Sequence, residues 1–266
     1  MPNILVSNDD GIFAPGLRTL VDVALSFGGE VVVVAPKDNQ SASGHRKTLH
    51  KPLRAVPTAS VFPPQVQAYA VDGAPSDCVA LALMGLVDTQ FDIVVAGINN
   101  GPNLGQDLTY SGTVSVTLEA AIFGYLAVAF SLDDRRPDAD YSHCKPYIQQ
   151  IIEQVLENGL PHQTVLNVNF PSAERPIMGI KPTRQGRRIY RDLLDTRYDP
   201  FNKPYYWIAG SPPIGDIEEV GTDIWAVHHG YVSVTPIHLD MTRHEFLTEL
   251  DKWQLNHSHS DGANRS

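Results

Sequence analysis

Asn3-Ile4-Leu5-Val6-Ser7-Asn8-Asp9-Asp10-Gly11 is the stretch whose reading decides the fold. Residues 3–7 form a short apolar run of strand length, and residues 16–27 carry apolar side chains at helical spacing. Asn8-Asp9-Asp10-Gly11 therefore falls in the first strand-to-helix turn. In an open α/β sheet, ligands bind in the crevice beyond the carboxyl ends of the strands. Two adjacent carboxylates there offer anionic oxygen to a hard divalent cation such as Mg²⁺ or Mn²⁺. Asn, Asp and Gly are also the ordinary residues of tight turns, because they tolerate left-handed conformations and bond their own backbone. The pair points to a cation only in company with the rest of the chain.

The same alternation repeats. Ile4-Leu5-Val6 is followed by apolar runs at residues 31–35, 93–96, 126–131 and 165–168, and helical patterns lie over residues 16–27, 76–87, 113–124 and 147–158. The runs are continuous rather than alternating, as expected of strands covered on both faces. Strand, helix, strand, helix predicts an α/β fold: a doubly wound, Rossmann-like, mostly parallel sheet with helices on both faces. The pattern changes after about Pro182. Residues 184–207 are rich in Arg, Tyr and Pro and read as extended strands around the turn Asp199-Pro200-Phe201-Asn202. Such a hairpin arm has too little core to stand alone, and exchange with a second copy of the chain is one way to cover it. A further strand is expected at residues 231–236. The expected organisation is a metal- and phosphate-binding core over 1–182, the arm over 183–210, a strand and helix returning to the core over 211–250, and a flexible tail over 251–266. His257-Ser258-His259 reads as part of that solvated tail.

Composition narrows the partners. A net charge of −10, with no Lys/Arg cluster beyond residues 184–191, argues against a nucleic-acid duplex or an anionic membrane as partner. Attraction for a phosphate must then be local. Cys78 and Cys144 make neither a disulfide framework nor a zinc site. No basic segment with an apolar h-region opens the chain, and no apolar run approaches the ~20 residues of a membrane span, so a cytoplasmic protein is the expectation.

Three further loops follow predicted strands. Residues 36–45, Pro-Lys-Asp-Asn-Gln-Ser-Ala-Ser-Gly-His, are small and polar and suit a loop folded over a ligand, although a plain surface loop has the same composition. Residues 97–105, Gly-Ile-Asn-Asn-Gly-Pro-Asn-Leu-Gly, let backbone approach a ligand closely and supply amide groups at Asn99 and Asn103. This segment runs on to Tyr110-Ser111-Gly112-Thr113 at a helix start, which is both an N-cap and a phosphate cradle. The loop Leu132-Asp133-Asp134-Arg135-Arg136-Pro137 is internally charge-balanced and reads as a solvated turn. There is no Gly-x-Gly-x-x-Gly after the first strand, no P-loop, no Gly-x-Ser-x-Gly elbow and no His-Glu-x-x-His helix. His228 and His229 are adjacent and make a poor chelating pair.

Taken together these residues resemble the SurE family of survival-protein 5′/3′-nucleotidases. The resemblance is carried by Ser7-Asn8-Asp9-Asp10-Gly11 with Ala14-Pro15-Gly16, Val34-Ala35-Pro36 with Asn39-Gln40-Ser41, and Asp72-Gly73-Ala74-Pro75-Ser76-Asp77-Cys78-Val79. It continues through Gly97-Ile98-Asn99, Tyr110-Ser111-Gly112-Thr113, Leu166-Asn167-Val168-Asn169, Thr183-Arg184-Gln185-Gly186, Pro204-Tyr205-Tyr206-Trp207 and Gly230-Tyr231-Val232-Ser233-Val234-Thr235-Pro236. The segments stand in family order from residue 3 to about residue 242.

The resemblance implies one divalent cation per subunit, Mg²⁺ or Mn²⁺, held by Asp9, Asp10, Ser41 and Asn99. It implies phosphate binding by Asn103, Ser111, Gly112 and Thr113, with Asp9 or Asp10 as catalytic proton acceptor. The expected activity is metal-dependent hydrolysis of nucleoside 5′-monophosphates, extending to 3′-monophosphates. A broad acid phosphatase or exopolyphosphatase, and a non-catalytic nucleotide-sensing module, are the alternatives. The family's Arg-Asn-Arg-Ser-Gly form of the second loop is here Asp38-Asn39-Gln40-Ser41-Ala42, which removes two positive charges but keeps the serine. By the same resemblance the arm near 184–207 joins subunits into a homodimer or homotetramer.

Overall fold

The structure is a computed structural model that describes residues 1–58, 61–215, 217–253 and 255. The first half of the chain supplies β1 (Ile4–Ser7), α1 (Pro15–Leu25), β2 (Val31–Pro36), β3 (Ala55–Pro57), β4 (Gln67–Val71), α2 (Pro75–Leu81), β5 (Ile93–Asn100), α3 (Gly112–Ile122) and β6 (Leu126–Leu132). The second half supplies α4 (Lys145–Asn158), β7 (Thr164–Phe170), β8 (Ile180–Pro182), β9 (Arg188–Tyr198), β10 (Pro204–Gly215), α5 (Asp223–His228), β11 (Val232–His238) and α6 (His244–Leu250). Nine strands form one twisted sheet in the order β3-β4-β2-β1-β5-β6-β7-β11-β8. The six from β4 to β7 are parallel. β3 runs antiparallel to β4 and β11 antiparallel to β7, and β8 pairs parallel with β11 at the far edge.

The sheet is therefore mixed at its edges. β3, β4 and β8 escape sequence reading for a physical reason. β3 and β8 are three residues long, each ends in proline, and both lie at the sheet edges, where a missing N–H breaks no ladder. The expected helix over 76–87 is shorter as well. α2 gives way to a π-type turn at Ala82–Leu86, because Gly85 takes a left-handed φ of +109°.

Helices cover both faces. On α1, Leu17, Leu20, Val21 and Ala24 are buried at spacings of three and four, and Ile148, Ile151, Ile152 and Val155 repeat the pattern on α4. Both stripes join Ile4, Val6, Val33 and Val95 in one cluster. The alternate strand positions Leu5, Val32, Val34 and Val94 face the other way, onto residues of α2 and α3. Each large aliphatic side chain so buried contributes roughly 1.5–3 kcal/mol. α3 has no solvent side through residues 112–121 and emerges only at its last residue, Ile122.

β1 is followed through α1 by β2 on one side of it, while β5 lies on its other side. The chain direction thus switches between β1 and β5, and the crevice at their carboxyl ends is the ligand position such sheets provide. Beyond the sheet, β9 and β10 pair only with each other, from Tyr198↔Pro204 to Arg188↔Gly215. Among the described residues no helix is long and apolar enough to cross a membrane. The tail containing His257 and His259 lies outside the described residues.

Candidate active site

The β1 turn is self-bracing. Asn8 Nδ2 donates to the carbonyl of Gly11 at 2.9 Å, and Gly11 adopts φ +100°, which places the following residue so that Ile12 N–H reaches Pro36 O at 2.9 Å. Asp9 is 3% exposed. Its carboxylate accepts the hydroxyl hydrogen of Thr113 and the Thr113 backbone N–H. Asp10 accepts the N–H of Asn100 at 2.9 Å on one oxygen and Asn39 Nδ2 at 3.4 Å on the other.

Asn99 reaches the site through a bulge. The β5–β6 register jumps between Ala96 and Asn99 by one extra residue on β5, which re-aims the strand end. Two glycines make this possible. A Cβ on Gly97, at φ +122°, would stand 2.2 Å from Phe130 O, and one on Gly16 would stand 2.0 Å from Ile98 O. Asn99 Nδ2 donates to Gly101 O at 2.7 Å, and its Oδ1 is left toward the Thr113 hydroxyl at 3.3 Å.

α3 supplies the third wall. Ser111 is its N-cap, accepting Val114 N–H on Oγ at 3.1 Å. Gly112 follows, and a Cβ there would lie 2.6 Å from Asp9 Cβ, 2.8 Å from Asp9 Oδ2 and 2.9 Å from Ser43 Oγ. Ser43 Oγ is buried without a hydrogen-bond partner. The missing Cβ leaves a small space edged by carboxylate and hydroxyl oxygen.

These elements enclose a cleft of about 350 Å³. Of the residues singled out in the sequence, Asp9, Ser41, Asn99, Asn103 and Ser111 line it. Asp10 and Thr113 stand behind its wall, bonded to Asn100 and Asp9. Ser41 is exposed on the cleft side of the second loop, its N–H held by Asn39 Oδ1 at 2.8 Å. Asn103 is fixed through its backbone: its N–H goes to Asn169 Oδ1 at 2.8 Å, and its carbonyl accepts Asn167 Nδ2 at 2.8 Å. Its side-chain Nδ2 donates to Ser131 Oγ at 2.8 Å. A larger groove of about 420 Å³ beside α4 is almost wholly apolar and contains none of the predicted site residues.

Electrostatics single out the carboxylate pair. Burial, with the charge of Asp10 next in weight, pushes the Asp9 carboxyl up to about 6 despite the bonds from Thr113. Burial also raises Asp10. Two carboxylates held together, one buried and one half-buried, are what a cation would neutralise. Among the described residues no group of three or more His, Cys, Asp or Glu could hold a metal ion. A cation here would rest on two carboxylates and neutral oxygens, a donor set that suits Mg²⁺ or Mn²⁺ rather than zinc.

Arg135 lines the cleft too, with Cζ 3.3 Å from the position a Gly101 Cβ would take. The expectation of a merely solvated turn at residues 132–137 is thus corrected. Leu132 is fully buried, Asp134 is nearly so and paired with Arg136, and only the strand order reveals that β6 ends beside β5. Tyr110 and Asp107 join the wall through a 3₁₀ turn at Gly105–Thr109, and Asp107 pairs with Arg188 at 3.2 Å. Arg46 brings a cation back to the second loop, donating to Gln40 Oε1 at 2.8 Å.

Comparison with known proteins places the chain in a family. Residues 4–192 match the family model described as survival protein SurE. A protein named 5′-nucleotidase SurE 1 from Thermus thermophilus is 50% identical over 93% of this chain and 96% of its own length. One named 5′-nucleotidase SurE from Chloroflexus aggregans is 47% identical over 94% and 98%. The crystal structure of the SurE protein from Aquifex aeolicus superposes with a TM-score of 0.80 at 43% identity, covering 94% of this chain and 98% of that one. With the family model spanning most of the chain and such relatives nearly all of it, the protein belongs to the SurE family.

Proposed function

We propose that this chain is a metal-dependent 5′-nucleotidase that hydrolyses nucleoside monophosphates, 3′ as well as 5′, to nucleoside and phosphate. The observation that carries the reading is the Asp9–Asp10 pair at the sheet switch point, with Asp9 buried against the N-terminus of α3 and Asp10 half-buried beside it. The activity for which the related proteins are named supports it. Asp9, Asp10, Ser41 and Asn99 are the oxygen donors to the cation, and the space at Gly112 fits the group beside Asp9. When bound, such a cation polarises a phosphoryl oxygen and lowers the pKa of a bound water.

The protein's own groups do the rest. The first-turn N–H groups of α3 have no partner inside the helix, so Gly112 offers its amide to an anionic oxygen and the helix end favours the charge. Ser111 and Asn103 line the same cleft and complete the phosphate cradle, and Arg135 adds positive charge to the opposite wall. Thr113 acts by holding Asp9 against this cradle. One carboxylate of the pair accepts the proton of the attacking water. Phosphate release from AMP, GMP and p-nitrophenyl phosphate, with Mn²⁺ and after chelation, tests the reading. Equal rates on every ester would make it a broad phosphatase, and binding without turnover a sensor.

We also infer that the β9–β10 arm joins subunits. Leu193, Leu194, Tyr206, Trp207 and Ile208 leave large apolar surface exposed on a two-stranded ribbon.

A further inference from the structure

The loop that carries Ser41 is held down by a buried carboxylate deep in α3. Glu119 is fully buried, among Val116, Leu118 and Ala120. An unpaired charge there would be costly. Both of its partners come from one short stretch of the second loop: His45 Nε2 at 2.9 Å and Lys47 Nζ at 2.6 Å. Burial would raise this carboxyl, but the bonds and charges of His45 and Lys47 bring it below the ordinary range.

Every residue from 44 to 48 is pinned. Gly44 N–H reaches Tyr110 O at 3.0 Å, the Arg46 carbonyl accepts the Ser76 hydroxyl, and Thr48 N–H reaches Asp77 Oδ1 at 2.9 Å. At the other end of the loop, Gln40 N–H reaches Asp9 O at 2.7 Å and Asn39 donates to Asp10. Ser41 and Ala42 form the apex between the two anchors, with Ala42 at a left-handed φ of +57°. That conformation costs a non-glycine residue energy and persists only where its surroundings impose it.

We propose that Glu119, with His45 and Lys47, is a latch that fixes the second loop against α3 and so sets the distance from Ser41 and Ser43 to Asp9. These are positioning residues: none lines the cleft. The assignment deepens the reading of the site as a cation-dependent phosphatase and rests on it only for its effect on cation affinity. Glu119 belongs to the same helix whose first turn holds Asp9 through Thr113, so loop and aspartate are referenced to one rigid element.

The test measures hydrogen exchange of residues 39–43 and binding of Mn²⁺ alone, in wild type, Glu119→Gln, Lys47→Met and Lys47→Arg. Lys47 is half-exposed, so its variants fold even if Glu119→Gln does not. Exchange at the apex is expected to speed up about tenfold in Glu119→Gln and Lys47→Met. Mn²⁺ affinity is expected to fall about tenfold, as for other groups that orient metal ligands, and Lys47→Arg is expected to restore both. Unchanged exchange, or a lower Tm with unchanged Mn²⁺ affinity, overturns the latch. If wild type neither binds Mn²⁺ nor turns over AMP, the functional reading fails, and the exchange rates still decide whether the loop is latched.

Discussion

Thr113 donates its hydroxyl hydrogen to Oδ1 of Asp9, 104 residues earlier in the chain, and so ties the first turn of α3 to the end of β1. The bond removes one lone pair of Asp9 from the cleft and fixes which way the other oxygen faces. Thr113→Val keeps the shape but leaves a buried carboxylate oxygen without its donor, a loss of about 1–3 kcal/mol. Mn²⁺ affinity measured by calorimetry is expected to fall about 10- to 100-fold, with Thr113→Ser retaining most of it. A valine variant with wild-type affinity would mean that the bond does not orient Asp9.

The same carboxylate predicts a pH dependence. In the cation-free protein the Asp9 carboxyl sits at about 6, above the ordinary aspartate value of 3.8. Between these values the folded state binds more protons than the unfolded one, so cation-free stability falls as pH rises through this window. A cation needs the ionised form and competes with that proton. Thermal unfolding should show Mn²⁺ raising Tm clearly at pH 7.5 and little at pH 5. Equal shifts at both values would place the cation away from Asp9.

Gly112 has a steric role that a single methyl tests. The Cβ of Gly112→Ala would approach Asp9 Cβ at 2.6 Å and Asp9 Oδ2 at 2.8 Å. Displacing a reacting group by a fraction of an ångström to an ångström costs on the order of 100-fold in rate. A loss of that size in kcat/KM for AMP is expected, with far-ultraviolet circular dichroism unchanged. Wild-type turnover would show that the helix start and Asp9 have room to part.

Arg135 separates substrate binding from chemistry. It is exposed on the cleft wall, so Arg135→Gln should leave the unfolding free energy within about 0.5 kcal/mol of wild type. Because the charge acts on bound phosphate and transition state alike, KM for AMP is expected to rise about tenfold at constant kcat. A fall in kcat at constant KM would instead assign Arg135 to the transition state.

The parallel core and its crevice were legible because they rest on local signals. Ile4-Leu5-Val6, Val31 to Val34 and Val94-Val95 are unbroken apolar runs, and the Asp9–Asp10 turn follows the first of them. Legibility ended where tertiary contact decides. β4 finds its place only by pairing between β3 and β2, and Arg135 joins the cleft only because β6 lies beside β5. Nothing in the sequence marks Glu119 until the second loop is seen to cover it. Asn167 and Asn169 could be quoted as part of a family pattern, but their bonds to the Asn103 backbone needed the sheet order to bring β7 alongside.

The arm makes a prediction about assembly. Ile208 is 83% exposed and lies opposite Leu194 in the ribbon. If this surface is buried between subunits, light scattering should find wild type as a dimer or tetramer at micromolar concentration. Ile208→Asp should shift that equilibrium toward monomer while the core's thermal unfolding stays within a few degrees of wild type. A wild-type monomer would remove the arm's assigned role.

The central claim is that the Asp9–Asp10 pair holds a cation that makes phosphate-ester hydrolysis possible, and one measurement addresses it directly. Phosphate release from AMP is followed in chelated protein, after Mn²⁺ is returned, and in Asp10→Asn under both conditions. The account predicts no turnover after chelation, recovery with Mn²⁺ in wild type, and no recovery in a folded Asp10→Asn. Undiminished turnover in the chelated protein, or in Asp10→Asn, would contradict it.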